Sequence, residues 1–192
     1  MFKIAIFASG AGTNAAKIIE FLSSSDDISV DFVVSNTEKA SVLDISKENC
    51  IDSMIFSRIQ LLNEPDKLMD ILHSRKINFI VLAGFLLKLP KILVSSFEGR
   101  ILNIHPSLLP DFGGKGMYGD NVHQAVLNAG KKVTGITIHK VNNEYDRGEV
   151  IFQKKIYITE NESVESLKKR IQTLEHNYFP EVIQSEILKL VK

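Results

Sequence analysis

Phe2-Lys-Ile-Ala-Ile-Phe-Ala-Ser-Gly-Ala-Gly-Thr-Asn14 is a near-continuous apolar run that stops at a cluster of small residues. An unbroken apolar run suits a strand covered on both faces, the usual situation of a parallel strand. Ala15–Leu22 then carries apolar residues at helical spacing. The segment therefore reads strand, tight turn, helix. Gly10 and Gly12 let the backbone approach a ligand closely, and the first N–H groups of the helix, with its dipole, make an anion site. Ala15 stands where the dinucleotide fingerprint needs its third glycine, and no Walker lysine follows. The turn suits a phosphate without a dinucleotide; a plain tight turn is the alternative.

The same alternation continues along the chain. Ile28–Ser35 is a second strand, Lys39–Asn49 a helix, Ile51–Phe56 a third strand and Pro65–Arg75 a helix. Ile77–Ala83 is a strongly apolar fourth strand closed by Gly84. Strands alternating with helices predict a parallel sheet with right-handed crossovers. Phe85-Leu-Leu-Lys-Leu-Pro90 is apolar yet follows a strand's carboxyl end. It either lines a pocket for a flat apolar ligand or packs as core.

Gly99-Arg-Ile-Leu-Asn-Ile-His-Pro106 brings a further short strand to an abrupt stop. Proline lacks an N–H and pushes the preceding residue towards extended conformations, so His105 belongs at a strand's carboxyl end. Open α/β sheets bind their ligands there. Asn103 and His105 are two apart and share one face of the strand. An amide and an imidazole so placed can polarise a carbonyl and move a proton. A capping histidine beside a buried, hydrogen-bonded asparagine is the alternative.

Pro106–Asp120, with Gly113, Gly114, Gly116 and Gly119, reads as a mobile loop before a helix from about Asn121 to Ala129. Lys132–Lys140 and Glu149–Ile158 favour strand, and Val141–Gly148 between them is a turn. They predict an antiparallel pair added to the parallel sheet. Ser163–Leu190 reads as helix, with Pro180 expected to kink or break it.

A chain of 192 residues suits one well-buried domain. Lys+Arg and Asp+Glu number 23 each, so no broad field draws the chain to nucleic acid or an anionic membrane. Cys50 is the single cysteine, which rules out an intrachain disulfide and fits a reducing cytosol. No stretch approaches the length of a membrane-spanning helix, and Met1–Ala8 reads as a strand rather than a targeting segment. The expectation is a soluble cytoplasmic protein. His73 and His123 are expected in surface or capping roles, His139 closes a strand, and His176 sits in the last helix. None has Cys or carboxylate partners at ligand spacing, so no metal is expected.

Asn103-Ile-His-Pro-Ser-Leu-Leu-Pro110 resembles the folate-dependent formyltransferases. Ser9-Gly-x-Gly-Thr-Asn14, Leu82-Ala-Gly-Phe85, and Asp146-x-Gly148 with Val150-Ile151 match the same family in order. Ile171-Gln-Thr-Leu-Glu-His176 resembles its carboxyl-terminal helix. The resemblance covers essentially the whole chain. It implies a doubly wound, mostly parallel α/β sheet with an antiparallel C-terminal extension, in a single domain over residues 1–192. The N-terminal half would bind the ribonucleotide phosphate, and the C-terminal half would bind folate and carry catalysis. The implied reaction moves the formyl group of 10-formyltetrahydrofolate to the amine of phosphoribosylglycinamide, in purine synthesis. A monomer or homodimer is implied, with small-molecule substrates and no metal, nucleic acid or membrane partner.

The resemblance also implies roles. Asn103 and a protonated His105 would stabilise the oxyanion, while Asp146 would raise the histidine pKa and help relay protons. Gly12, Thr13 and Asn14 would hold the phosphate, assisted by the N–H groups of Ala15 and Ala16, and Gln172 and Glu175 would reach the ribose-phosphate. The pterin would lie against Leu86, Leu87, Lys88 and Leu89 and against the Val141–Asp146 turn, which includes Glu144. Leu87 stands where many members carry a basic residue. The arginine that some relatives carry after the third strand has no clear counterpart. Rival readings are a formyl-folate hydrolase, whose relatives add an N-terminal domain, and a methionyl-tRNA formyltransferase, whose relatives add a C-terminal one; neither addition is expected here. A non-catalytic folate or nucleotide sensor is a third, and the intact Asn103, His105 and Asp146 set argues against it.

Overall fold

The computed structural model describes residues 1–191. Its centre is one seven-stranded sheet in the order β3-β2-β1-β4-β5-β6-β7. The strands are β1 (Phe2–Ala8), β2 (Ile28–Ser35), β3 (Asp52–Ile55), β4 (Phe79–Leu82), β5 (Ile101–His105), β6 (Val133–Lys140) and β7 (Val150–Tyr157). The first five are parallel; β6 runs antiparallel to β5, and β7 antiparallel to β6. The sheet class and its antiparallel extension are those the sequence implies.

Alternating residues of β1 feed two separate cores, as the pleat requires. Ile4, Ile6 and Ala8 pack with Ile18, Ile19 and Leu22 of α1 (Thr13–Leu22) and with Leu167, Phe179 and Ile183 of the last helix. Ala5 and Phe7 face the other layer, which holds Phe32, Leu68, Leu72 and Phe97. Helices therefore cover both faces of the sheet.

The chain winds from β1 outwards to β3, then crosses back to β4 on the other side of β1. This reversal opens a crevice beyond the carboxyl ends of β1 and β4. The Ser9 N–H donates to Gly84 O (3.0 Å), and Leu86 N donates to Ser9 Oγ (2.9 Å), so the two strand exits are tied together.

The remaining helices are α2 (Val42–Glu48), α3 (Arg58–Asn63), α4 (Pro65–Ser74), α5 (Lys91–Ser96), α6 (Asp120–Asn128) and α7 (Val164–Val191). α3 and α5 have no counterpart among the expected elements. Each is six residues long, below the reach of periodicity. A capping box starts α3: Ser57 Oγ accepts from Gln60 N, and Gln60 Oε1 accepts from Ser57 N (2.9 Å).

α7 runs unbroken through Pro180. The break expected there does not occur. Proline removes one main-chain bond, but Phe179, Ile183 and Ile187 beside and beyond it are fully buried, so tertiary packing holds the helix.

Candidate active site

Beyond the carboxyl ends of the strands lies a cavity of about 740 Å³. It is bordered by Asn103 and His105 from β5, Asp146, the 114–119 loop, and Lys168, Gln172 and Glu175 of α7. A smaller apolar pocket of about 70 Å³ adjoins it, lined by Leu82, Leu87, Leu89, Val94 and Val141 among others. Asn103 and Asp146 border both.

Two strands assemble the polar cluster. The β5–β6 register sets Asn103 opposite His139 and His105 opposite Thr137. Asp146 comes from the β6–β7 turn, where it adopts the left-handed region (φ 51°). Gly148 is required two residues later, because a Cβ there would stand 1.7 Å from the Lys140 carbonyl oxygen. The Asp-x-Gly pattern thus reflects a turn folded tightly onto β6, which delivers the carboxylate between two histidines. Asp146 Oδ2 is 3.7 Å from His105 Nδ1, and its Oδ1 is 3.6 Å from His139 Nε2. The Gly114 N–H donates to Oδ2 at 2.8 Å.

His105 is 3% exposed, and its Nε2 lies 2.8 Å from the Phe112 carbonyl oxygen. A carbonyl only accepts, so Nε2 carries the hydrogen and Nδ1 turns its lone pair towards Asp146. Burial lowers the His105 pKa below the ordinary histidine value; Asp146 and the Phe112 carbonyl raise it but do not outweigh burial. The imidazole is therefore neutral at rest, which corrects the expectation of a protonated His105. Burial opposes ionisation of Asp146, but His139, the Gly114 N–H and His105 together hold its carboxyl below the usual range.

Two residues before Asn14, which borders the cavity, Gly12 caps α1 in the left-handed conformation (φ 71°). A Cβ there would meet Val42 at 2.8 Å. Gln172 Nε2 donates to Thr13 Oγ1 (3.0 Å), and Asn14 Nδ2 donates to Glu175 Oε2 (2.8 Å). α7 is thereby pinned to the start of α1. Asn14 Oδ1 and Asn36 Oδ1 are buried without a partner, and both residues border the cavity. Such groups call for a ligand or water.

Residues 2–183 match the family described as formyl transferase. The chain belongs to the formyl transferase family. It is 40% identical over 186 residues to a chloroplastic phosphoribosylglycinamide formyltransferase of Arabidopsis thaliana, covering 94% of this chain and 64% of that protein. This chain thus spans less than two thirds of the plant relative. The phosphoribosylglycinamide formyltransferase of Bacillus subtilis is 36% identical over 188 residues, covering 96% of this chain and 94% of the relative. The crystal structure of phosphoribosylglycinamide formyltransferase from Bacillus halodurans superposes with a TM-score of 0.87 at 33% identity, covering 95% and 94% of the two chains.

In this formyl transferase the structure brings together most of the residues singled out in the sequence. Asn103, His105 and Asp146 converge, and Asn14, Gln172 and Glu175 meet at the α1 end. The Phe85–Leu89 segment does both things the sequence left open. Phe85, Leu86 and Leu87 border the main cavity, and Phe85, Leu87 and Leu89 line the smaller pocket, while Phe85 and Leu89 also pack as buried core. Lys88 sits at the rim with its Nζ 5.3 Å from the Tyr145 ring centroid, and Glu144 borders the smaller pocket. One assignment falls away, since the Ala16 N–H already donates to Gly12 O at 2.8 Å. The Ala15 side chain is in the core, and its N–H, in the first turn of α1, has no intrahelical acceptor.

Three residues were missed or misplaced. Arg58, the first residue of α3, comes after β3 with Phe56 and Ser57 between and borders the cavity, so an arginine does stand after the third strand. Ser57 and Gln60 were the available signal, a capping pair that starts a helix there. His123 is 4% exposed and lines the cavity rather than the surface; the apolar neighbours Val122 and Val126 point α6 inwards. His139 is buried beside Asn103 and Asp146. Its position two residues from Thr137, on the strand facing β5, was the signal.

Proposed function

We propose that the protein transfers the formyl group of 10-formyltetrahydrofolate to the amine of phosphoribosylglycinamide, releasing tetrahydrofolate, as a step of purine synthesis. The observation that carries this reading is that Asn14, in the first turn of α1, and the Asn103–His105–Asp146 cluster border one continuous cavity. The names of the relatives support the same reaction. We further propose that residues 1–192 act as one domain in the cytosol, consistent with a single cysteine.

In this reading the start of α1, at Gly12–Asn14, holds the ribonucleotide phosphate through backbone N–H groups and the helix dipole. Gln172 and Glu175 take the ribose. The pterin enters the apolar pocket between Leu87, Leu89 and the Val141–Asp146 turn, leaving the formyl group beside Asn103. The amine attacks the formyl carbon, and negative charge develops on the formyl oxygen. An Asn103 N–H donates to that oxygen. Neutral His105 accepts the amine's proton at Nδ1, directly or through one water, and the adjacent Asp146 carboxylate stabilises the imidazolium. The same proton then passes to the folate nitrogen as the C–N bond breaks. Phosphate anchoring orients the amine before reaction, which contributes several kcal/mol, up to roughly 7–11 for an ideal near-attack geometry.

The test is a single-turnover comparison of acceptors with a formyl-labelled donor: phosphoribosylglycinamide, methionyl-tRNA, and water alone. Label is expected on the ribonucleotide amine. Label on tRNA, or release as formate at the same rate with and without ribonucleotide, would refute the proposal.

A further inference from the structure

His139 makes two contacts that together fix its tautomer. Its Nδ1 lies 2.8 Å from the main-chain oxygen of Lys140, and its Nε2 lies 3.1 Å from Asn103 Nδ2. The carbonyl oxygen can only accept, so Nδ1 carries a hydrogen. The neutral ring then has a lone pair on Nε2, and Asn103 must meet it with an N–H. Asp146 Oδ1 lies farther from Nε2, at 3.6 Å and beyond ordinary hydrogen-bond distance, so the Asn103 amide is its nearer partner. The ring is 2% exposed, so water cannot easily take over either role.

The consequence falls on Asn103. A side-chain amide presents either its NH₂ or its oxygen to a given neighbour, and a half-turn exchanges them. The bond to His139 selects one of these states: one N–H goes to the ring, and the second remains for a ligand. The opposite state would turn the amide oxygen around and place an acceptor where an oxyanion develops. Asn103 has no other hydrogen-bond partner among the described side-chain contacts that could make this choice. The register supports the same division of labour. β6 sets His139 behind Asn103 and Thr137 behind His105, and Thr137 Oγ1 braces the turn after His105 by donating to Ser107 O (2.7 Å) and accepting from Leu109 N (2.9 Å).

We propose that His139 is a positioning residue, whose Nδ1–H tautomer holds the Asn103 amide with an N–H directed to the reacting carbonyl oxygen. This rests on the reading of Asn103 as the donor to that oxygen.

The test combines a spectroscopic and a kinetic readout. In ¹⁵N-labelled resting protein, His139 is expected to show a protonated Nδ1 and an unprotonated Nε2. Protonated Nε2 would overturn the proposal, whatever reaction the protein performs. In single-turnover assays, His139→Phe is expected to lower turnover ~10-fold to 100-fold, less than the ~10²–10³ of a lost oxyanion donor, with both Michaelis constants nearly unchanged. In an Asn103→Ala background the same substitution should cost less than about two-fold, because its effect passes through Asn103. His139→Gln, whose amide oxygen can accept the Asn103 N–H, should recover part of the loss and serves if the Phe variant does not fold. Effects that multiply in the double variant would overturn the proposal. A wild-type protein without formyl transfer would defeat the functional reading instead, leaving the tautomer result to stand alone.

Discussion

His105 Nδ1 and Asp146 Oδ2 face each other at 3.7 Å, with the histidine's other nitrogen tied to the Phe112 carbonyl. The gap exceeds a hydrogen bond, but one water or a small rotation closes it. A lone pair that faces a carboxylate in a buried site gains most when it takes up a proton. This pair is therefore built to receive a proton rather than to hold one at rest.

His105→Ala and Asp146→Asn should each lower turnover by roughly 10²–10⁴-fold, the usual contribution of acid–base assistance. Ribonucleotide affinity should change little, because the α1 end of the cavity is untouched. Pre-steady-state kinetics with folded variants checks this. A variant that keeps more than about a tenth of wild-type turnover would show that its residue has no such role.

Acid should weaken the fold well above the carboxylate range. Burial lowers the pKa values of His105, His123 and His176 below the ordinary value of 6.5. A group whose folded pKa is depressed binds fewer protons folded than unfolded once the pH falls below 6.5. Their contribution is thus fully present above that pH and is lost as the pH falls through the window below it. Urea midpoints should be lower at pH 5.5 than at pH 7.5, and His123→Gln should flatten the difference. Burial raises the Glu175 carboxyl and opposes this trend, so Glu175→Gln should steepen it. An unchanged midpoint across the range would contradict the linkage.

Much of this was legible in the sequence because it depends on backbone chemistry. Apolar runs mark the buried strands, Pro106 marks where β5 ends, and Gly12 and Gly148 mark places where no Cβ fits. What was not legible depends on packing across the sheet. His139 matters because the β5–β6 register sets it against Asn103, which local pattern does not reveal. Arg58 reaches the cavity only because a six-residue helix starts there. The charge state of His105 is decided by burial against a carboxylate, a competition that only tertiary structure settles. Of the kink or break expected at Pro180, the break does not occur for the same reason, since Phe179 and Ile183 hold α7 where propensity would end it.

The α1 end offers a separable test. Asn14→Ala removes the bond to Glu175 and should raise the ribonucleotide Michaelis constant more than it lowers turnover. Gly12→Ala forces a Cβ to within 2.8 Å of Val42 at φ 71°, and should destabilise the fold by roughly 1–3 kcal/mol. A phosphate bound elsewhere in a ribonucleotide complex would contradict the placement.

The most direct measurement follows the formyl donor on the protein with and without its partner. If the phosphate anchor at Gly12–Asn14 orients the attacking amine towards Asn103 and His105, water gains no comparable positioning. Enzyme saturated with 10-formyltetrahydrofolate should leave it nearly intact until phosphoribosylglycinamide is added, then convert it one-for-one into formylated ribonucleotide. Rapid loss of the donor in the absence of ribonucleotide, unaffected by adding it, would contradict transfer and make the protein a hydrolase.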